Sequence, residues 1–153
     1  MAQANTGAAF VVDLGRDIVA ELAPDELSVF DAVGAAFLRN PRRVLGDQSR
    51  PGAVLGSGID TVVLALSPVA LAVATAVYQQ LVDKTAEATL KQAMKVAGRL
   101  GKAKRDEPLP EITPERREAA ADGTRTLVEN LTGDADLARQ CAELVRVLLD
   151  RRG

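Results

Sequence analysis

The chain of 153 residues contains no histidine, no tryptophan and a single cysteine. Histidine is the commonest general base and metal ligand in proteins, so its absence removes most acid–base and metal-dependent chemistry. One cysteine excludes an internal disulfide, which is typical of a reducing compartment. Cys141 lies on the apolar side of a helical pattern, so we expect a buried, unreactive thiol. No pattern predicts a catalytic, cofactor or metal site, and we expect a protein that is not an enzyme.

Aromatic residues are scarce, with three Phe and one Tyr, although 47% of the chain is hydrophobic. Ala, Val and Leu therefore supply nearly all of the burial. Ala is the best helix former and lets helix backbones approach closely. Apolar residues recur at helical spacing, and no long alternating β-branched run appears. The sequence predicts an all-α fold.

Charge sets expectations about partners and location. The net charge is −2, which lacks the basic excess typical of nucleic-acid binding, and we expect neither nucleic acid nor a small-molecule substrate. The N-terminal sequence has no basic segment followed by an apolar core, so it does not predict a secretory signal. We expect a cytoplasmic protein, or one held peripherally or integrally on the cytosolic side of a membrane.

The first 39 residues predict a helical hairpin with helices at about 8–22 and 24–39. Pro24 ends the first helix and suits the first turn of the second. Asn40-Pro41 ends the hairpin, because a residue before proline avoids helical backbone. Residues 40–56 predict a basic loop that carries Arg42, Arg43 and Arg50. This loop is either solvated or in contact with anionic headgroups or an acidic partner.

A central helix is predicted over 57–104. Ser57 and Asp60 fit a capping box at its start. Pro68 removes a backbone hydrogen bond, so we expect a kink there. The alternative is two helices, with Ser67 as a fresh N-cap and Pro68 as the first residue. We favour the single kinked helix.

The C-terminal part predicts a Pro-rich linker over 105–113 and a second helical hairpin over 114–153. Thr113 and Pro114 suit an N-cap and first helical residue. A break at 132–134 then leads into a last helix over 135–151.

Residues 61–82 carry no charge, and their 22 residues meet the length of a membrane span. Pro68 and several polar residues make such a span marginal. The alternatives are the central helix of a soluble bundle, apolar all round, or an interface buried in an oligomer. The candidate membrane or core residues are Val62, Val63, Leu64, Leu66, Val69, Leu71, Val73 and Val77.

A basic stripe follows the uncharged stretch. On a helical wheel its cations fall within an arc of about 80°, and apolar residues occupy the opposite side. This segregation predicts either a solvated face over a core face or attraction to anionic headgroups. The stripe consists of Lys84, Lys91, Lys95, Arg99 and Lys102.

The uncharged stretch and the basic stripe together suggest a function. Our leading hypothesis is a non-enzymatic helical protein that associates conditionally with the cytosolic face of a membrane as an oligomer, acting as an anchor or a membrane-perturbing module. Its partners would be an anionic membrane surface, a helical protein or both. The alternatives are a soluble adaptor whose 61–82 stretch is the bundle core, and a subunit of a helical oligomer or filament.

Overall fold

The computed structural model describes residues 6–44, 66–82, 89–102 and 111–152, and every element in these ranges is helical. The predicted all-α fold is confirmed. A 3₁₀ turn at Pro24–Glu26 separates the first two helices, and a helical turn at 41–44 follows the second. The α-helices are α1 (Thr6–Leu22), α2 (Leu27–Arg39), α3 (Leu66–Val82), α4 (Leu90–Lys102), α5 (Pro114–Thr132) and α6 (Ala135–Arg152).

Helix α3 forms the centre of the bundle and packs against α1, α2, α4 and α5. All of its residues are buried except the half-buried Gln79 and the exposed Val82. A helix that is apolar on every side requires neighbours on every side, because each face would otherwise expose apolar surface to water. The described part of the uncharged stretch, including Leu66, Val69, Leu71, Val73 and Val77, therefore lies in the core.

Small residues explain how four helices approach α3. Ala70, Ala72, Ala74 and Ala76 are fully or almost fully buried and recur along the helix. At 100° per residue, these small side chains fall on two opposite sides of the helix. The buried Thr75 donates its hydroxyl to the Leu71 carbonyl at 2.8 Å, within the same helix. The polar atom is thereby satisfied without any outside partner.

Charged side chains from distant segments close both ends of α3. The Glu26 carboxylate accepts the backbone N–H of Leu66 at 2.7 Å and that of Ser67 at 2.8 Å. It also accepts the Ser67 hydroxyl at 2.7 Å. At the other end, the Arg116 guanidinium donates to the Leu81 carbonyl at 2.9 Å. An anion at the N-terminus and a cation at the C-terminus also complement the helix dipole.

The prediction of one kinked helix over 57–104 is wrong. Thr89 is not helical, and α3 and α4 are separate helices that pack against one another. Pro68 lies in the first turn of the described helix, beside two N–H groups that bond to a carboxylate instead of a helical carbonyl. Proline lacks an N–H and is tolerated there without a kink. The alternative N-cap at Ser67 is not observed either, because Leu66 and Ser67 are already helical.

Several predicted features lie outside the described residues. They are the caps Ser57 and Asp60, the stretch residues Val62, Val63 and Leu64, the stripe residue Lys84, and most of the predicted basic loop and Pro-rich linker.

Helices α5 and α6 are joined by two residues and pack along one another. Thr113 caps α5 by accepting the Arg116 N–H at 3.2 Å, and Pro114 is its first residue. Gly133 ends the helix in left-handed backbone, with φ of 71°. That conformation is costly for other residues, so glycine suits the sharp connection.

The last helix is also fastened to the first. Arg152 pairs with Asp17 at 2.8 Å, and its guanidinium carbon lies 5.9 Å from the centre of the Phe10 ring. Arg146 joins α6 to α5 through both oxygens of Glu118, at 2.8 and 3.0 Å. These contacts fix α6 on the outside of the bundle, against α5 and α1.

The burial of α3 predicts the effect of a charge at its middle. Val73→Asp places a carboxylate at a fully buried position of the core, and the loss of stability should reach about 3–5 kcal/mol. That is a large share of the stability of an ordinary domain. Val29→Asp makes the same change at a side chain that is 52% exposed, and should cost little. Chemical denaturation of both variants measures the difference, and similar midpoints would contradict the burial.

The Glu26 cap predicts a second loss of stability. Glu26→Ala leaves two backbone N–H groups and a hydroxyl without their acceptor, which should cost about 1–3 kcal/mol. Asp25→Ala removes an exposed carboxylate from the same turn and serves as the matched control, with an expected change below about 0.5 kcal/mol. The free energies of unfolding from urea titrations test this, and an equal effect of the two variants would refute the cap.

Candidate anion-binding cleft

A strongly basic cleft of about 500 Å³ lies between the end of α2 and the outer side of α4. Among the described residues that line it, five are cations, all exposed, and none is an aspartate or glutamate. The basic cleft is lined by Arg39, Asn40, Pro41, Arg42, Met94, Lys95, Gly98, Arg99 and Lys102.

Local sequence explains the position of the first wall. Helix α2 ends at Arg39, and Asn40 begins the turn at 41–44 by accepting the Arg43 N–H on its side-chain oxygen at 3.2 Å. Pro41 is buried, so it anchors this turn to the bundle while Arg42 and Arg43 remain exposed. An Asn cap followed by proline is a common helix start. The chain therefore changes direction just where three arginines cluster.

The second wall is the outward face of α4. Ala93, Val96, Ala97 and Leu100 are buried against the bundle, whereas Lys91, Lys95, Arg99 and Lys102 are exposed. The predicted segregation of charge thus holds over the described part of the stripe. On the predicted apolar side, Leu90 is half-buried, Val82 is exposed at the end of α3, and Ala86 lies outside the described residues.

Two glycines of α4 determine how closely the walls approach and how much space lies between them. A side chain at Gly101 would collide with the carbonyl oxygen of Leu38, so only glycine allows α4 to lie this close to α2. A Cβ at Gly98 would meet only the Pro41 ring, at 4.0 Å, which is an ordinary contact. Gly98 therefore leaves space inside the cleft, and the close approach at Gly101 makes the two basic segments neighbours.

The cations of the basic cleft have no carboxylate partner within the described ranges. The six ion pairs found there join α1 to α2, α5 to α6 and α1 to α6, or lie within α6. Arg16, for example, pairs with Asp31, and Glu118 has a pKa below its usual value because Arg146 donates hydrogen bonds to it. Like charges without counter-charges repel, so the cleft favours a bound anion.

Sequence reasoning identified Lys91, Lys95, Arg99 and Lys102 as one face but treated the arginines near residue 40 as a separate loop. The structure brings Arg39 and Arg42 beside the stripe. It keeps Leu66, Val69, Leu71, Val73 and Val77 away from this surface, inside the bundle. The only sequence signal for the cleft was that both segments, the end of α2 and α4, are basic. More than fifty residues separate Arg42 from Lys95 along the chain, so no local pattern predicts that they are neighbours.

A second concavity, of about 570 Å³, lies between the end of α1 and α6. Its floor includes Leu22, Leu144 and Val147, and the Val147 side chain is 45% exposed. Charged residues surround this apolar floor. The α6 groove is lined by Glu21, Leu22, Arg139, Gln140, Glu143, Leu144, Val147 and Arg151.

Cys141 belongs to neither surface. It is 1% exposed, and burial raises its pKa to about 11. The thiol therefore stays protonated at neutral pH, although the thiolate is the reactive form. Within the described residues, no three His, Cys, Asp or Glu side chains are grouped to hold a metal ion.

The chain as a whole was compared with known proteins. No family model matches the chain, and searches of curated proteins and of solved structures find no match to it. Among the helices in residues 6–44, 66–82, 89–102 and 111–152, none combines the length and apolar character that crossing a membrane requires.

Proposed function

We propose that this chain is a non-catalytic helical module that docks on an anionic membrane surface as a folded bundle. The observation that carries the proposal is the convergence of five exposed cations, from two distant segments, on one cleft whose described lining residues include no carboxylate. Lys91 and Arg43 extend the same charge beyond the cleft. Each Lys or Arg near an anionic bilayer contributes about 1 kcal/mol of attraction.

The docking is electrostatic and reversible, because the apolar side of α4 is occupied. Ala93, Val96, Ala97 and Leu100 face the bundle and cannot enter a bilayer while the bundle is intact. Insertion of residues 66–82 would require removing α3 from four neighbouring helices. The proposal therefore keeps the anionic-surface partner of the initial hypothesis and does not require the inserted span. Such binding weakens as salt concentration rises.

A membrane surface is favoured over single-stranded nucleic acid for a specific reason. Proteins that bind single strands combine a basic groove with aromatic side chains on which bases stack. All four aromatic residues of this chain, Phe10, Phe30, Phe37 and Tyr78, are buried. The basic cleft thus provides charge for an anion and no aromatic surface for bases.

Vesicle binding tests the proposal. The protein should co-sediment with vesicles that contain an anionic lipid and not with purely zwitterionic ones. Lys95→Glu reverses one charge and should weaken this binding by about 2 kcal/mol, roughly 30-fold. Arg125→Glu makes a similar charge reversal at an exposed position of α5 outside the cleft, and should bind like the original chain. Equal weakening by both variants, or tighter binding to labelled RNA than to vesicles, would refute the proposal.

The α6 groove supports a second candidate function, self-association. Arg139, Glu143, Val147 and Arg151 follow one another at intervals of four along α6 and line the groove. Residues four apart lie on one side of a helix. If two copies of α6 pair antiparallel around Val147, Glu143 of each copy faces Arg151 of the other. The half-buried Leu144 and exposed Val147 then supply the apolar centre.

Charge swapping tests this pairing. Glu143→Arg or Arg151→Glu alone places like charges opposite each other twice, and should weaken dimerisation about tenfold if each exposed pair is worth about 0.5–1 kcal/mol. The double swap restores opposite charges and should recover the original affinity. Glu129→Arg, at an exposed position of α5, is the control for charge reversal alone. Sedimentation over a range of concentrations measures the result, and a double variant no better than the single variants would exclude this register.

A further inference from the structure

The basic cleft is concave, and this shape points to a more specific ligand than a charged plane. Ligand sites in proteins are typically clefts of about 300–1,000 Å³, and this one has about 500 Å³. We propose that the cleft binds a ligand with two or more adjacent phosphate groups. This inference rests on the proposed membrane function and specifies its ligand.

The donors in the cleft suit phosphate. Arg39, Arg42 and Arg99 carry planar guanidinium groups that match phosphate oxygens in pairs. Lys95 and Lys102 add compact ammonium charges from α4, the helix that also carries Arg99. Clustered phosphates carry several negative charges in a small volume, so they offset repulsion among these cations better than a single charge does.

Asn40 adds a neutral donor at the same place. Its side-chain oxygen is already used as the acceptor for the Arg43 N–H. The side-chain nitrogen is consequently the part that remains to donate to a ligand, and amide donors take part in phosphate recognition beside charged groups. The side chain is held by the turn at 41–44 and lines the cleft.

Gly98 supplies the space. It lies among the cleft residues on α4, with the Pro41 ring as the nearest neighbour of any Cβ placed there, at 4.0 Å. A leucine at this position can extend from α4 into the cleft without changing its charge. Gly98→Leu therefore separates a shaped site from a charged surface. The fit to the helix is favourable, because leucine is a better helix former than glycine.

Thermal unfolding with inorganic phosphates tests the site. Tripolyphosphate should raise Tm by about 5–10 °C at a hundredfold excess over Kd, and further with the logarithm of its concentration, because it binds only the folded state. Orthophosphate and sulfate at the same ionic strength should give smaller shifts. Gly98→Leu and Lys95→Glu should both abolish the shift. Ala32→Leu, which adds similar bulk at an exposed position of α2 outside the cleft, should retain it.

Vesicles separate a lipid headgroup from a free phosphate as the source of the ligand. At equal total charge, vesicles with a polyphosphorylated inositol lipid should bind the original chain more tightly than vesicles with a singly charged lipid. Gly98→Leu should remove this preference. If tripolyphosphate raises Tm more than sulfate does but no vesicle binds, the phosphate site stands and the membrane function fails.

The opposite outcomes are equally decisive. A tripolyphosphate shift that persists in Gly98→Leu, or that does not exceed the sulfate shift, would overturn the phosphate site. Vesicle binding that depends on Lys95 but not on the number of phosphates would then leave only the electrostatic docking of the proposed function.

Discussion

The enclosure of an apolar helix, with its ends closed by charged side chains, is the constraint on which the bundle depends. Helix α3 has no polar face, so it must be surrounded, and its terminal N–H and C=O groups must find partners away from bulk water. Glu26 supplies the carboxylate at one end and Arg116 the guanidinium at the other. The 3₁₀ turn before α2 and the first turn of α5 are thereby held at fixed places against α3.

The basic cleft is a consequence of that enclosure. Helix α4 presents its alanines, Val96 and Leu100 to the bundle, and its lysines and Arg99 remain outside because burying unpaired charge is costly. Contact between Gly101 and the end of α2 then sets the distance between this face and the arginines near residue 40. The same packing that buries the apolar side of α4 against the bundle leaves its cations together on one exposed surface. Core formation and charge segregation are two results of one arrangement.

Local patterns predicted the helical character, the start of α5 at Thr113-Pro114 and the two-sided nature of α4. They did not predict that α3 and α4 are separate helices, because residues 61–102 contain helix formers throughout and Pro68 was the only strong breaker in view. They also did not predict three long-range proximities, which are Glu26 to Leu66, Arg116 to Leu81 and Arg42 to Lys95. Each pair is separated by at least 35 residues, and no short-range periodicity encodes such contacts.

The long reach of the Glu26 cap has a consequence for the order of folding. Local contacts, such as those between α5 and α6, can form with little loss of chain entropy, whereas contacts of high sequence separation require large loops to close. The start of α3 receives its acceptor only after the 3₁₀ turn has docked across a sequence separation of 40 residues. Slow exchange of the Leu66 and Ser67 amide hydrogens with solvent would therefore report on docking of that turn. The exchange rates of these two backbone amides would thus measure whether the N-terminal part of the chain has docked on α3.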